Sequence, residues 1–428
     1  MTGRACSEGE KFAGHCTMTP QTAAPDWPPA VVAGAYQTGV LGVRSLARRG
    51  VRAVCFDCSP KNPGFRSVYG AARLCPDPDD EPDQWLRFML DLAGSLQARA
   101  VLIPSSDKFV SAIAKYADEL AQHFIFSPGV PLQGLLADKQ SQYDLAAAHG
   151  MPMPRTQRVQ TVAEVAEFAA AAAFPCLIKP MHFREWQRFP AGHALLDQKV
   201  AIAEDAGTLV ETYRLASAVN PSVILQEIIQ GPDTAKRVYL ACYDAHSNRL
   251  AHAMFRELRC NPVGFGPASV SEPAVDPETD AVCDAFLRSI GYAGICEIEM
   301  KWDSRDGRVK LIEANPRLSG GGDAAPYDGV DLCWLHYLDL IGQPVSPTAP
   351  AGNDFRHVVL RADAAAAPAY LAAGLITWRE VVDSYRRPLA FYDLDWNDWR
   401  YSMETLLVSA RTLLVSTGRL AFKRGHGR

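Results

Sequence analysis

The chain has 428 residues, a hydrophobic content of 48% and a net charge of −5, enough for two or three domains with proper cores. That acidic balance gives no overall attraction to nucleic acid or to an anionic membrane, and no apolar run approaches the length of a membrane span. The eleven cysteines are scattered and odd in number, which predicts reduced thiols in a cytoplasmic protein.

Residues 1–28 read as a flexible extension without the continuous apolar core of a secretory signal. From Val31 the pattern is strand, turn, helix, strand: VVAGAY, a helix over about 39–49, then VRAVCFD. A helix over 84–97, the strand AVLIPSS at 100–106 and a helix through Phe109–Leu120 follow. This alternation predicts a small parallel α/β domain over 29–128. Its first turn, Gly34 to Gly39, lacks the G-x-G-x-x-G spacing and carries Tyr36 where a glycine is needed. A Rossmann-like domain without a dinucleotide is therefore expected. Cys55-Phe56-Asp57-Cys58 is a lone C-x-x-C ending an apolar strand, with no second pair to complete a metal site. Ser106 and Asp107 fall just past the carboxyl end of a predicted parallel strand, where open α/β sheets bind ligands; either also suits a helix N-cap.

Asp138–Thr156 reads as a helix ended by Gly150 and an extended linker with prolines. FPCLIKP at 174–180 closes an apolar strand on Lys179, and a lysine reaching inward from a sheet needs an anion beside it. VILQEIIQG at 223–231 is another apolar strand, with Gln226 and Glu227 near its end. Between them, 182–199 has one glycine and the cations Arg184, Arg188 and Lys199, so side-chain charge rather than a backbone cradle is expected to meet phosphate. Phe255-Arg256-Glu257-Leu258-Arg259 precedes a flexible Pro262–Pro267.

Ile295–Trp302 and Val309–Ala314 flank Ser304-Arg305-Asp306-Gly307, which predicts a β-hairpin. Side chains two apart share a strand face, so Glu297 pairs with Glu299 on one strand and Glu313 with Asn315 on the other. The turn position sets Glu299 opposite Glu313. Two facing carboxylates repel unless a cation lies between them, and Mg²⁺ with phosphate oxygens as its other ligands fits best. Asn315-Pro316-Arg317 and a glycine run follow. Beyond 350 come helix-like 364–373 and 377–384, the run YDLDWNDW, and an amphipathic helix near 401–422. In that helix Met403, Leu406, Leu407, Ala410, Leu413, Leu414 and Leu420 predict a face buried against the protein body or a second subunit.

EMKWDSRDGRVKLIEANPR resembles the metal-binding hairpin of the ATP-grasp superfamily of carboxylate–amine ligases. The resemblance covers about 130–345 well and 30–128 more loosely. It implies an α/β architecture: an ATP-grasp domain of two α+β subdomains over 129–347, with the smaller lid at about 174–235, preceded by the Rossmann-like domain. A mainly helical extension over 348–428 would follow. Glu299, Glu313 and Asn315 would hold two Mg²⁺ ions, replaceable by Mn²⁺, on the ATP phosphates, with Glu297 the competing first ligand. Arg317 would face the phosphoryl group in transfer. Lys139 and Lys179 would contact the nucleotide and its phosphates, with Lys199 adding charge. Glu227 and backbone groups near Ile228 and Ile229 would read the adenine, and Asp233 the ribose. Ser106 and Asp107 would help to build the acceptor site.

The glycine-poor loop and the FRELR run resemble the D-aspartate-ligase-like and carbamoyl-phosphate-synthase-like branch. There Arg259, with Arg256 beside it, would lie near the reacting carboxylate and the γ-phosphate. The implied reaction activates a small carboxylate as an acyl phosphate and couples it to an amine, releasing ADP and phosphate. A homodimer is the family-level expectation, with no nucleic-acid partner. The alternatives are an ATP-grasp kinase or a ligase using a non-amine nucleophile, and a nucleotide-binding sensor without turnover.

Overall fold

The computed structural model describes residues 27–181, 183–198 and 200–425. All of the expected N-terminal extension but Trp27 and Pro28 lies outside the described residues, as does Lys199. Trp27 packs edge-on against Trp334 and Tyr337, with ring centroids 5.6 and 6.3 Å away.

The first sheet comprises β1 (Ala30–Ala33), β2 (Ala53–Asp57), β3 (Ala71–Leu74), β4 (Ala100–Pro104) and β5 (Phe124–Ile125), all parallel in the order β3-β2-β1-β4-β5. The order reverses between β1 and β4, and a crevice opens at such a point beyond the carboxyl ends of the strands. Gly34 ends β1 with φ +121°, and a Cβ there would come within 2.3 Å of Ser105 Oγ, so only glycine allows the two strand ends to close together. Asp57 is occupied with this turn: its carboxylate accepts from Ala35 N (2.8 Å) and Ser59 N (3.1 Å), which accounts for an acid at that position without a ribose.

A second, four-stranded sheet holds β6 (Thr156–Val159), β7 (Cys176–Pro180), β8 (Ala201–Ala203) and β9 (Val223–Glu227), in the order β6-β9-β7-β8. Cys176, Ile178, Val223 and Leu225 bury one face against Val165, Phe168 and Leu209 of its helices. The other face carries Lys179 and Gln226.

The third sheet runs β14-β13-β10-β11-β12-β15-β16. Its strands are β10 (Lys236–Tyr243), β11 (Arg249–Cys260), β12 (Ala268–Pro273), β13 (Gly294–Asp303), β14 (Arg308–Asn315), β15 (Arg356–Val358) and β16 (Leu389–Phe391). Tyr239, Ile298 and Met300 pack on Cys283, Phe286 and Leu287 of the helix Pro277–Ser289. On the opposite face Leu240 and Phe255 share one core with Val32 and Val43 of the first domain.

The C-terminal region was read as helical, and helices Leu360–Ala372, Trp378–Ser384 and Trp399–Gly425 are present. Two of its segments are also strands: β15 pairs with β12 and β16 with β15, so the sheet continues past residue 347. Against the body of its own chain, the last helix buries a face other than the expected leucine face. Tyr401, Ser402, Thr405 and Ser409 are buried, while Met403, Leu407, Leu413 and Leu414 stand exposed. Thr405 Oγ1 accepts from Arg361, and Ser402 Oγ binds the backbone of Asp395. Small hydroxyl side chains fit closely against the alanine-rich helix Leu360–Ala372 where leucines would not. Truncation after Ala410 should therefore leave the melting temperature nearly unchanged, whereas truncation after Asp398 should lower it markedly. Equal losses in a thermal melt would place the exposed leucines, not the hydroxyl face, in the packing.

Candidate active site

The β13–β14 hairpin is the floor of the site. Its turn is locked by Asp303, whose carboxylate accepts from Arg305 (Nη2, 2.7 Å) and Lys310 (2.8 Å); these bonds hold Asp303 well below the usual carboxylate range despite its burial. Glu299 lies directly opposite Glu313, and Glu297 opposite Asn315. Burial first, then the neighbouring Glu313 and Glu297, push the Glu299 carboxyl well above its ordinary pKa. Glu297 is raised as well, mainly by burial, but it has partners: Ser319 Oγ donates at 2.7 Å and Asn315 Nδ2 at 3.1 Å. Glu299 accepts no hydrogen bond among the described residues. Of the two competing acids, Glu299 is thus the one left free to take a cation.

These carboxylate and amide oxygens form a hard donor set suited to Mg²⁺. Among the described residues no three of His, Cys, Asp or Glu stand together as a complete ion site. The remaining ligands of an ion between Glu299 and Glu313 must come from elsewhere, as phosphate oxygens would.

Cations surround this floor. Lys179, on the cleft face of β7, donates to Gln226 Oε1 at 2.9 Å and sits 6.0 Å from the centroid of the Tyr143 ring. Burial lowers its pKa, and Glu313 and Glu299 partly offset that. Lys139 Nζ approaches Glu313 Oε2 at 3.8 Å from the start of its helix. Arg317 donates to both oxygens of Asp107 (2.7 and 3.1 Å) and to Asn315 Oδ1 (3.1 Å). That fork ties the β1/β4 crevice to the hairpin. Asp107 therefore orients Arg317, while Ser106 occupies the N-cap position of the helix Asp107–Lys115.

Sequence reasoning missed Lys236 and undervalued Glu257. Lys236 Nζ lies 3.1 Å from Glu257 Oε2 and 3.5 Å from Asp233 Oδ1. Burial works against the Lys236 charge, but these carboxylates raise its pKa above the ordinary value. Burial lifts Glu257 to about 7, with Lys236 opposing. The signal was present in the alternation: Lys236 and Val238 share the face of Glu299.

At the hinge, Glu227 N donates to Arg155 O and Ile228 N to Pro175 O, leaving the Ile229 amide without an acceptor among the described residues. The Glu227 side chain departs from the adenine-reading role. It pairs with Cys176, shares that residue's helix-covered face, and accepts from Ala173 N at 2.8 Å. Asp233 is partly buried and already accepts from Gly264 N (3.2 Å) and from the Tyr370 hydroxyl.

Two arginines are corrected. Arg256 registers with Arg237, which registers with Met300, so it lies on the sheet face opposite Glu299 and pairs there with Glu272. Arg259 is buried in a fork with Asp363 (2.9 and 2.9 Å) and donates to Ser384 Oγ (3.0 Å). A register shift after Glu257 accompanies this turn toward the C-terminal helices. Neither guanidinium is placed to meet the reacting groups.

No family model matches the chain. A D-aspartate ligase of Enterococcus faecium is 26% identical over 275 residues, 60% of this chain and 63% of that protein. The carbamoyl phosphate synthase large chain of Mycobacterium tuberculosis is 28% identical over 189 residues, 42% of this chain and 16% of its own length. The chain thus spans less than two thirds of these curated relatives. Among solved structures, an N5-carboxyaminoimidazole ribonucleotide synthetase in complex with ADP is similar with a TM-score of 0.57 at 14% identity, over 75% of this chain and 80% of that one. The biotin carboxylase domain of a Hydrogenobacter thermophilus 2-oxoglutarate carboxylase, with MgADP, is similar with a TM-score of 0.56 at 17% identity, over 74% and 70%. An L-amino acid ligase of Bacillus licheniformis is similar with a TM-score of 0.54 at 14% identity, over 73% and 74%. At these identities the solved structures speak for the fold.

Proposed function

Since this chain has the ATP-grasp fold and is related in sequence to ligases of that superfamily, we propose that it is an ATP-dependent ligase that activates a small carboxylic acid and couples it to an amine. The observation that carries the reading is the register of Glu299 opposite Glu313 beneath Lys179 and Lys139. Glu299, Glu313 and Asn315 would hold Mg²⁺, which when bound neutralises phosphate oxygens and favours attack on the γ-phosphorus. Lys179, half-buried and without a carboxylate within ion-pair distance among the described residues, would take the inner phosphates. Arg317, oriented by Asp107, would face the phosphoryl group in transfer, where a planar, permanent cation suits both a carboxylate and an acyl phosphate. The free Ile229 amide would meet the adenine edge. Enclosure between the two subdomains would keep water from the acyl phosphate until the amine arrives. Nine of the cysteines are free thiols, and no helix among the described residues is long and apolar enough to cross a membrane; we place the reaction in the cytoplasm.

The direct test is ADP release across pairs of small acids and amines, with hydroxylamine as a trap for the acyl phosphate. AMP and pyrophosphate as products would remove the mechanism, and ADP release without any trapped or amide product would favour the kinase alternative. Lys179→Met is expected to weaken MgADP binding by about 10- to 100-fold, the worth of a hydrogen bond to a charged group. Unchanged affinity by calorimetric titration would take Lys179 out of the phosphate site.

A further inference from the structure

The run YDLDWNDW and the helix after it take no part in the chemistry above, and the structure sorts their side chains by character. Asp393, Asp395 and Asp398 are buried. Asp393 accepts from Leu360 N and Arg361 N (2.9 Å each), Asp395 lies 3.3 Å from Arg44 and is also paired to Arg48, and Asp398 lies 3.2 Å from Arg44. The tryptophans of the run lie outside instead: Trp396 is 80% exposed and Trp399 60%. Every aspartate of the run is thus satisfied within the protein, and the two indoles are left at the surface.

The helix Trp399–Gly425 continues this division. Its hydroxyl face, Ser402, Thr405 and Ser409, fixes it to the body, and the leucine face lies on the opposite side, with Leu407 68% and Leu414 73% exposed. From Ala410 to Thr417 no residue is buried, so this stretch of the helix stands clear of the body. Met403, Leu407, Val408, Leu413, Leu414 and Val415 are exposed over about 220° of the circumference, at about 100° per residue. That arc is too broad for the narrow seam by which a helix pairs with its own copy, and it suits a continuous apolar medium. Charge is equally one-sided. Residues 399–425 include Arg400, Arg411, Arg419, Lys423 and Arg424 against the single acid Glu404, itself paired with Arg66, in a chain of net charge −5. Arg411 lies within the apolar arc, where a long side chain can reach from an apolar bed to a polar headgroup. Arg400 stacks over the exposed Trp399 ring, 5.5 Å from its centroid.

We propose that this helix, with Trp396, is a peripheral anchor that lays the protein on a bilayer surface rich in anionic lipid. The leucine face enters the acyl boundary, the tryptophans sit at headgroup level, and the cations meet lipid phosphates. The body, held on the hydroxyl face, stays on the water side. No helix among the described residues is long and apolar enough to cross a membrane, so the attachment is lateral and reversible.

The test is co-sedimentation of the full chain with vesicles of equimolar phosphatidylcholine and phosphatidylglycerol, with phosphatidylcholine alone as the control. The chain should bind the mixed vesicles at least about tenfold more tightly than the neutral ones, and added salt should weaken that binding. Leu407→Gln combined with Leu414→Gln should weaken it by about tenfold or more, the loss of two leucines from the acyl boundary. The chain truncated after Ala410 should lose it. Both variants keep the hydroxyl face, so their melting temperatures should stay close to the native one, which shows that the loss is one of binding and not of folding. No binding of the native chain to the mixed vesicles, equal binding to the neutral ones, or equal binding by the double variant would overturn the anchor. A native dimer in light scattering that the double variant splits, without vesicle binding, would also overturn it and assign the leucine face to a second copy.

Discussion

Glu313→Gln is expected to abolish ADP-forming turnover, by at least about a hundredfold, since loss of a metal's outer partners alone costs up to that much. The substitution keeps volume and hydrogen bonding, so circular dichroism and the melting temperature should stay close to those of the native protein. Near-native turnover would sink the metal assignment. Glu299→Gln should be equally inactive and yet raise the melting temperature of the unliganded protein. The sign follows from the raised Glu299 pKa: the folded state holds its proton to higher pH than the unfolded chain, whose glutamates titrate near about 4.3. Stability is therefore lost as pH rises from that value through the folded pKa, and Gln removes the loss. A melting temperature that is higher at pH 8 but unchanged at pH 4 is the expected pattern. No gain at pH 8 would mean that Glu299 is not a repelled carboxylate.

Arg259→Met should destabilise the fold by about 3–5 kcal/mol, because it strands the fully buried Asp363 without its counter-charge. Tyr385 and Ser269 would still bond Asp363 but could not neutralise it. The double variant Arg259→Met, Asp363→Leu should recover most of that loss, since well-packed apolar residues often replace a buried ion pair at little cost. Denaturant unfolding of the two single variants and the double variant decides it. A single variant that unfolds normally but has lost turnover would return Arg259 to the chemistry.

The hairpin was legible because two short-range rules coincide there. A four-residue turn sets the register and the period of two sets the faces, so Glu299 could be placed opposite Glu313 without any distant contact. The parallel order of the first sheet followed from alternating strands and helices. Arg259 was not legible in the same way. Its partner lies 104 residues further on, and a register shift within β11 redirects the chain just before it. The C-terminal helix failed for a related reason. Periodicity reveals a leucine stripe, but which stripe is buried depends on the neighbouring helix, and that neighbour is lined with alanines. Lys236 was overlooked although the alternation puts it on the face of Glu299, because its meaning arises from Glu257 across the ladder and Asp233 three residues earlier.

The last strands of the third sheet have a consequence for the order in which the protein can be completed. Synthesis runs from the N-terminus, so β12 is made long before β15 can cover its edge. Until β15 and the helix Leu360–Ala372 emerge, that edge is open, the guanidinium of Arg259 has no carboxylate, and Asp233 has no phenol. A growing or prematurely ended chain that stops near residue 347 presents an unpaired strand and an uncompensated charge at once, a surface prone to pairing with other chains. The third sheet is thus completed only by residues 356–391, and quality control has a distinct unfinished form to act on.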